Sequence, residues 1–114
     1  YNRYLFMLKK ANRLNHAEFA KYFSVGKRIH NTYSTTIYAP APTLLCAVVV
    51  AKKIYKKAHD RNLIRRRFYE VIREIIKERE VTGVYIFLVK PVIKNLTKSE
   101  FKKLITLEVG RTLK

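Results

Sequence analysis

A stripe of apolar residues in the second half of the chain constrains the fold more than any other feature. Its members recur at the spacing of one helix face, and they are Ile64, Phe68, Val71, Ile72, Ile75 and Ile76. The stripe predicts a long helix that begins near Asp60, a suitable N-cap, and ends at about Glu80. This helix is expected to bury one side only, because its other sides are strongly charged.

Extended stretches flank that helix. Residues 32–38 are rich in β-branched and aromatic side chains, and residues 84–89 form an apolar run that Pro91 closes. Residues 44–50 are apolar on both faces, which predicts a central strand. Residues 27–30 are interpreted as a short additional strand.

Two further helices are marked by the same capping signature. Asn15 followed by Glu18 predicts a first helix of about two and a half turns, which ends at roughly Ser24 before Gly26. The second of these helices, near the carboxyl end, has an interrupted apolar stripe.

Thr97 with Glu100 repeats the capping box and predicts a last helix over about 98–109, with Gly110 as its stop. Its buried face begins with Phe101, Leu104 and Ile105. The next position on that stripe is Glu108, so burial is expected to end there or to shift to the following residue.

The composition fits one α+β domain with a charged surface. The chain has 114 residues, of which 48% are hydrophobic, and we treat residues 7–114 as a single domain. Residues 1–6 precede Met7 and are interpreted as an upstream extension or a cloning remnant. Cys46 is the only cysteine, which excludes a disulfide framework and a cysteine-rich zinc site and favours a reducing, cytoplasmic location.

The charge of the chain indicates an anionic partner. Its 25 Lys and Arg residues face 8 Asp and Glu residues, for a formal net charge of +17. Self-repulsion of this size favours binding to a polyanion, either nucleic acid or an anionic membrane. No apolar run approaches the ~20 residues of a transmembrane helix. A soluble nucleic-acid-binding protein without a membrane partner is therefore the first interpretation.

The charge is concentrated between positions 52 and 73. The positive residues of this segment are Lys52, Lys53, Lys56, Lys57, Arg61, Arg65, Arg66, Arg67 and Arg73, against Asp60 and Glu70. A solvated helix usually mixes the two signs, and this one hardly does. Guanidinium groups match phosphate oxygens, and a helix amino terminus adds a favourable dipole. At about 100° per residue, Asn62, Arg66, Tyr69 and Arg73 are expected opposite the apolar stripe, with Arg61 and Arg65 along its edge.

These residues resemble a known family. The Lys-Lys pair 52–53, the run 56–66 (KKAHDRNLIRR), Glu70 and Arg73 are similar to the Arg-Asn-Arg region of the bacterial ribonuclease P protein subunit. The basic stretch 8–14 and the Glu18-Phe19, Phe23 and Gly26 pattern extend the resemblance, as does the order of the elements. Leu63, Tyr69 and Leu45 stand where the family often has arginine, and Arg67 is expected to point elsewhere than Leu63.

The resemblance implies a fold and a division of labour. The fold is α+β, with the order helix, three strands, helix, strand, helix, a four-stranded sheet and a left-handed strand-helix-strand crossover. The catalytic centre belongs to a ribonuclease P RNA, which binds Mg²⁺ and cleaves precursor tRNA at the 5′ leader. The protein is then expected to have no catalytic or metal-binding residues of its own, and no protein partner is implied.

The resemblance also suggests two binding sets. The residues expected to bind the RNA subunit are Lys52, Lys53, Lys56, Lys57, Arg61, Asn62, Arg65, Arg66 and Arg73. Single strands are held by aromatic stacking beside basic groups, and the aromatics suited to the leader are Phe19, Phe23, Tyr33 and Tyr38. Each of these aromatics has core packing as its alternative role.

Two other functions compete with this interpretation. A protein-only nuclease would need convergent carboxylates for metal ions or a histidine pair, whereas His16, His30 and His59 are scattered along the chain. A ribosomal or general RNA-binding protein without a role in cleavage would share the charge but lack the order of motifs.

Overall fold

The computed structural model describes residues 13–113 as three helices and a four-stranded sheet. The elements are α1 (His16–Val25), β1 (Lys27–His30), β2 (Ser34–Ala39), β3 (Leu44–Val49), α2 (Ala58–Glu78), β4 (Gly83–Val89) and α3 (Lys98–Thr112). A short 3-10 helix, Pro91–Asn95, joins β4 to α3. The predicted order and the α+β class are confirmed, and residues 27–30 do form a strand.

The sheet has the strand order β1-β2-β4-β3. Neighbouring strands are antiparallel except for β3 and β4, which are parallel and therefore need the crossover that α2 provides. The expectation of a central strand at residues 44–50 was wrong, because β3 lies at an edge and β4 is internal. The outer edge of β3 is met by Arg13, which forms a bridge with Cys46, while the Leu14 amide donates to the Cys46 carbonyl at 3.2 Å. The hand of the crossover stays a prediction.

Each face of the sheet has its own core. α2 and α3 pack on one face, and the side chains buried there include Cys46, Val48, Phe68, Tyr85, Phe87, Phe101 and Ile105. α1 packs on the other face against Ile37, Val84 and Ile86, but none of its own residues is fully buried. The second face is therefore the less completely covered of the two.

The amino-terminal capping box forms as predicted. The Asn15 side chain accepts from the Glu18 amide at 2.8 Å, and the Glu18 carboxylate accepts from the Asn15 amide at 3.1 Å. α1 then ends at Gly26, whose φ of −70° needs no glycine. A glycine is required at this position for a steric reason, because a Cβ atom there would lie 2.3 Å from Cγ2 of Ile37.

The carboxyl-terminal helix is longer than predicted. Gly110 does not stop α3, which continues to Thr112 with its capping box at Thr97 intact. Burial also continues through Glu108, which is only 2% exposed. Its carboxylate accepts from the Tyr33 amide at 3.0 Å and from the Ser34 hydroxyl at 2.9 Å, so the charge is satisfied within the fold.

The long helix begins two residues before the predicted cap. Lys57 is the N-cap of α2 and makes no side-chain capping hydrogen bond, while Asp60 lies inside the first turn. The carboxylate of Asp60 therefore acts on the helix dipole rather than as a cap. The predicted apolar stripe is buried at its first four positions, and the last two, Ile75 and Ile76, are half-buried.

Candidate nucleic-acid interface

A basic turn precedes α2 and exposes four lysines. Lys52, Lys53, Lys56 and Lys57 all reach solvent, and Ile54 is buried between the two pairs. The buried isoleucine fixes the turn, so the lysines project from a defined position. The predicted lysine set is thus brought together at the amino end of α2.

Arg61 fastens this turn to the helix. One of its terminal nitrogens donates to the Tyr55 carbonyl at 3.0 Å and to the Lys56 carbonyl at 2.8 Å. Both acceptors are main-chain oxygens, so the guanidinium charge is not neutralised. Arg65 donates to the side-chain oxygen of Asn62, and these two residues lie together one turn along the helix.

Tyr69 is not on the outward side of α2, where it was predicted. It is only 7% exposed, and its hydroxyl accepts from the Val48 amide at 3.2 Å. Because β3 is an edge strand, alternate amides lack a strand partner, and Tyr69 satisfies one of them. Burial raises the pKa of the Tyr69 hydroxyl, while the Val48 hydrogen bond and the charges of Arg13 and Arg65 oppose that rise.

Arg13 and Arg73 extend the positive surface, and both are half-buried. The Nε atom of each is buried without a hydrogen-bond partner in the part of the chain that the structure describes. The basic stretch 8–14 was recognised from sequence, but Arg13 itself was missed as a site residue. Arg13 is recognised as a candidate only from its position beside β3 in the folded protein. Residues 8–12 of the same basic stretch lie outside the described residues.

A second position at which arginine was expected is Leu63. Leu63 and Arg67, one helical turn apart, line the same groove between α2 and α3. The expectation that Arg67 points elsewhere was therefore wrong. The Arg67 guanidinium lies 5.7 Å from the centroid of the Phe101 ring, which places its charge beside the apolar Leu63.

Phe19 and Phe23 form an aromatic pair on α1, in which Phe19 is half-buried against the smaller core and Phe23 is exposed. Their ring centroids are 5.6 Å apart with an interplanar angle of 26°, and Phe23 is 38% exposed. Arg28 of β1 places its guanidinium 5.2 Å from the centroid of the Phe23 ring. Arg28 was not predicted as a site residue. The alternation of a charged residue with the apolar Ile29 on a strand would have indicated that Arg28 faces away from Ile29. The group offers an exposed aromatic surface beside a cation.

Tyr33 and Tyr38 do not join that pair. Both pack against the core formed with α2 and α3, and the Tyr38 ring lies 5.2 Å from that of Tyr85. The predicted aromatic set is therefore divided between the two sides of the sheet. The reason is strand alternation, which sends Ile37 towards α1 and its neighbour Tyr38 the opposite way.

The sheet face beside α1 has a half-buried apolar margin. It consists of Leu45, Ala47, Val49 and Leu88, which pack against the smaller core without being fully covered. Together with the Phe19–Phe23 pair on α1, this margin leaves the sheet face that carries α1 partly open, from β3 at one edge to Arg28 of β1 at the other. Such a surface suits flat apolar groups with charges at the border.

Residues 13–113 contain no group of three or more His, Cys, Asp or Glu side chains able to hold a metal ion. His59 Nδ1 and Asp60 Oδ1 lie 3.6 Å apart at the exposed start of α2, and no third ligand joins them among the residues that the structure describes. Burial raises the pKa of the Cys46 thiol to about 12, which makes it a core side chain rather than a nucleophile. None of the described helices is both long and apolar enough to span a bilayer.

Comparison with known proteins agrees on one family. Residues 8–112 match the family model for ribonuclease P. The ribonuclease P protein component of Phytoplasma australiense is 32% identical over 96 residues, which cover 84% of this chain and 72% of that protein. The same component of Microcystis aeruginosa (strain NIES-843 / IAM M-2473) is 32% identical over 92 residues, with 74% and 76% covered.

Solved structures give the same fold. The RNase P protein of Staphylococcus aureus superposes with a TM-score of 0.67 at 19% identity, covering 90% of this chain and 94% of that one. A mutant of the S. aureus protein, described as defective in mRNA degradation activity, gives a TM-score of 0.71 at 21% identity, with both chains fully covered. The family match along nearly the whole chain and relatives of one name together show that the chain belongs to the ribonuclease P protein component family.

Proposed function

We propose that the protein binds the RNA subunit of ribonuclease P and the 5′ leader of precursor tRNA, and so promotes endonucleolytic maturation of the tRNA 5′ end. The observation that carries the proposal is the cationic surface at the amino end of α2. Four exposed lysines and the arginines behind them converge there with little acidic compensation.

The RNA subunit is assigned to that surface. Phosphate contacts require cations that are exposed and not already neutralised, and this holds for the lysines of the basic turn. Arg61 has spare donors in spite of its two carbonyl contacts, because a guanidinium group carries five N–H bonds. Asn62, Arg65, Arg66 and Arg73 complete the surface, and Arg13 is added to it.

The leader is assigned to this partly open sheet face beside α1. Phe23 supplies an exposed ring, and Phe19 supports that ring from within the helix. Bases stack on such rings irrespective of their sequence, and Arg28 lies where a phosphate would need a cation. Tyr33 and Tyr38 are left out of this assignment, because their packing belongs to the opposite core.

Hydrolysis is assigned to the RNA. Residues 13–113 contain no convergent group of three His, Cys, Asp or Glu side chains that could form a metal-dependent nuclease centre of the protein's own. The proposal therefore places Mg²⁺ on the RNA subunit and gives the protein the tasks of binding and positioning. It also places the ribonucleoprotein in the cytoplasm.

Reconstitution tests the proposal. The protein is assayed with precursor tRNA and Mg²⁺, alone and together with a bacterial ribonuclease P RNA, at a salt concentration where that RNA alone is slow. Correct 5′ cleavage is expected only when the RNA is present, and the protein is expected to accelerate it. Cleavage by RNA-free protein would identify a protein nuclease, and binding without acceleration would identify a general RNA-binding protein.

A further inference from the structure

A groove of about 960 Å³ separates α2 from the first turns of α3. Leu63, Arg66 and Arg67 line it from α2, and Lys98 and Lys103 line it from α3. Arg67 and Arg65 stand two residues apart, or about 200° around the helix, so the groove lies on the flank of α2 opposite the Arg65 side. It is therefore separate from the basic turn and from the sheet face assigned to the leader, and it shares only Arg66 with the RNA-binding residues of α2 named above.

The charge of the groove is almost wholly positive. Two arginines and three lysines line it against the single carboxylate of Glu70. In the part of the chain that the structure describes, Lys102 is the one groove cation with an ion-pair partner, and Glu74 lies 3.9 Å from it in an exposed position. An exposed pair of that length neutralises little charge. The remaining cations are available to an anionic ligand.

Arg67 gives the groove a flat surface as well as charge. Its guanidinium lies 5.7 Å from the centroid of the Phe101 ring, and Phe101 is buried. The ring packs beside the guanidinium group, and Leu63 adds an apolar side chain to the lining of the groove. Unstacked bases of single-stranded RNA stack on guanidinium planes while lysines hold the adjacent phosphates.

We propose that this α2–α3 groove binds a single-stranded segment of the ribonuclease P RNA, with a base on Arg67 and phosphates on Lys98 and Lys103. The inference rests on the proposed function, because it gives the same RNA partner a second contact. A planar stacking site among several cations favours RNA over an acidic peptide, for which charge alone would be sufficient.

Removal of two positive charges tests the phosphate contacts. The groove variant is Lys98→Ala with Lys103→Ala, both on α3, and the matched control is Lys77→Ala with Arg111→Ala, which removes the same charge from the carboxyl-terminal ends of α2 and α3. All four residues are exposed. Affinity for a bacterial ribonuclease P RNA is measured over a series of salt concentrations, with circular dichroism to verify folding.

The groove variant is expected to bind about 10- to 30-fold more weakly at 0.15 M salt, with a salt slope smaller by about 1.4 to 1.8. Equal losses in the groove variant and in the control would overturn the inference and leave the proposed function intact. Failure of the wild-type protein to bind the RNA would instead refute the proposed function itself. Arg67→Lys is expected to weaken binding without changing the slope, and an unweakened complex would overturn the stacked base.

A tethered cleavage reagent tests proximity directly. Cys46 is buried, so a hydroxyl-radical source attaches selectively to Ser99→Cys in the groove, or to Leu107→Cys as an exposed control on the same helix. The groove tether is expected to cut a short single-stranded segment of the RNA subunit that the control tether leaves intact. Identical cleavage patterns, or no cleavage from the groove, would overturn the inference.

Discussion

Replacing Phe23 by alanine distinguishes two roles of its ring, binding of the tRNA leader and packing in the core. Full burial of a phenylalanine side chain is worth about 1.5 to 3 kcal/mol, and Phe23 is 38% exposed, so about three-fifths of that value, or about 1 to 2 kcal/mol, is at risk in folding. A fully buried phenylalanine would cost about 3 to 5 kcal/mol on truncation. Loss of a base stacked on Phe23 would cost about 1 to 3 kcal/mol of binding to the leader alone.

The assay compares precursor tRNA with mature tRNA, because only the precursor carries the leader. Phe23→Ala in the reconstituted ribonucleoprotein is expected to lower affinity for the precursor about 5- to 150-fold while affinity for mature tRNA stays near wild type. The thermal midpoint is measured in parallel, with Phe87→Leu as the control for a buried ring. An unchanged ratio of the two affinities would refute stacking on Phe23. A large fall in the midpoint with parallel losses for both tRNAs would place Phe23 in the core.

Three other perturbations follow from the structure. Arg66→Ala with Arg73→Ala should weaken binding of the RNA subunit by about 1 to 3 kcal/mol for each lost bidentate contact and reduce the salt dependence; an unchanged titration would mean that the face is merely solvated. Glu108→Ala strands the Tyr33 amide and the Ser34 hydroxyl, so the free energy of unfolding in a denaturant titration should fall by about 2 to 5 kcal/mol, and a loss under 1 kcal/mol would contradict this account. Burial raises the pKa of the Cys46 thiol from 9.0 to about 12 on folding, so the buried thiol stabilises the folded state below about pH 9, and this stabilisation is lost as the pH rises towards 12. At pH 8 a thiol reagent should react with the native protein at least a hundredfold more slowly than with the protein in denaturant. Equal rates would refute the burial of Cys46.

Local signals in the sequence predicted local structure well. Both capping boxes formed, because each depends on side chains three residues apart and on nothing else in the fold. Gly110 failed as a stop for the opposite reason. A glycine costs a helix interior only about 1 kcal/mol, and burial of Val109 and Leu113 on either side outweighs that cost.

Signals that depend on register were less informative. The stretch 32–38 has Tyr33, Ile37 and Tyr38 in a pattern that fits either parity of a strand, so the face of each side chain was undetermined. The structure pairs Tyr38 with Tyr85 and turns both rings towards α2 and α3. Two of the four aromatics predicted for the leader, Tyr33 and Tyr38, therefore lie on the other side of the sheet from Phe19 and Phe23.

The two positions of α2 at which the resemblance led us to expect arginine, Leu63 and Tyr69, take different structural roles. Tyr69 is uncharged and accepts a hydrogen bond from the edge strand β3. The cations on this flank of α2 are Arg65 and the nearby Arg13. Leu63 gives the groove an apolar side chain at this position. The positive charges nearby are those of Arg67 on the same helix and of Lys98 across the groove. The helix thus presents cations on both flanks of one buried stripe. If the two flanks hold separate segments of RNA, the binding losses from removing cations on each flank should add, because residues on opposite sides of a helix share no partner.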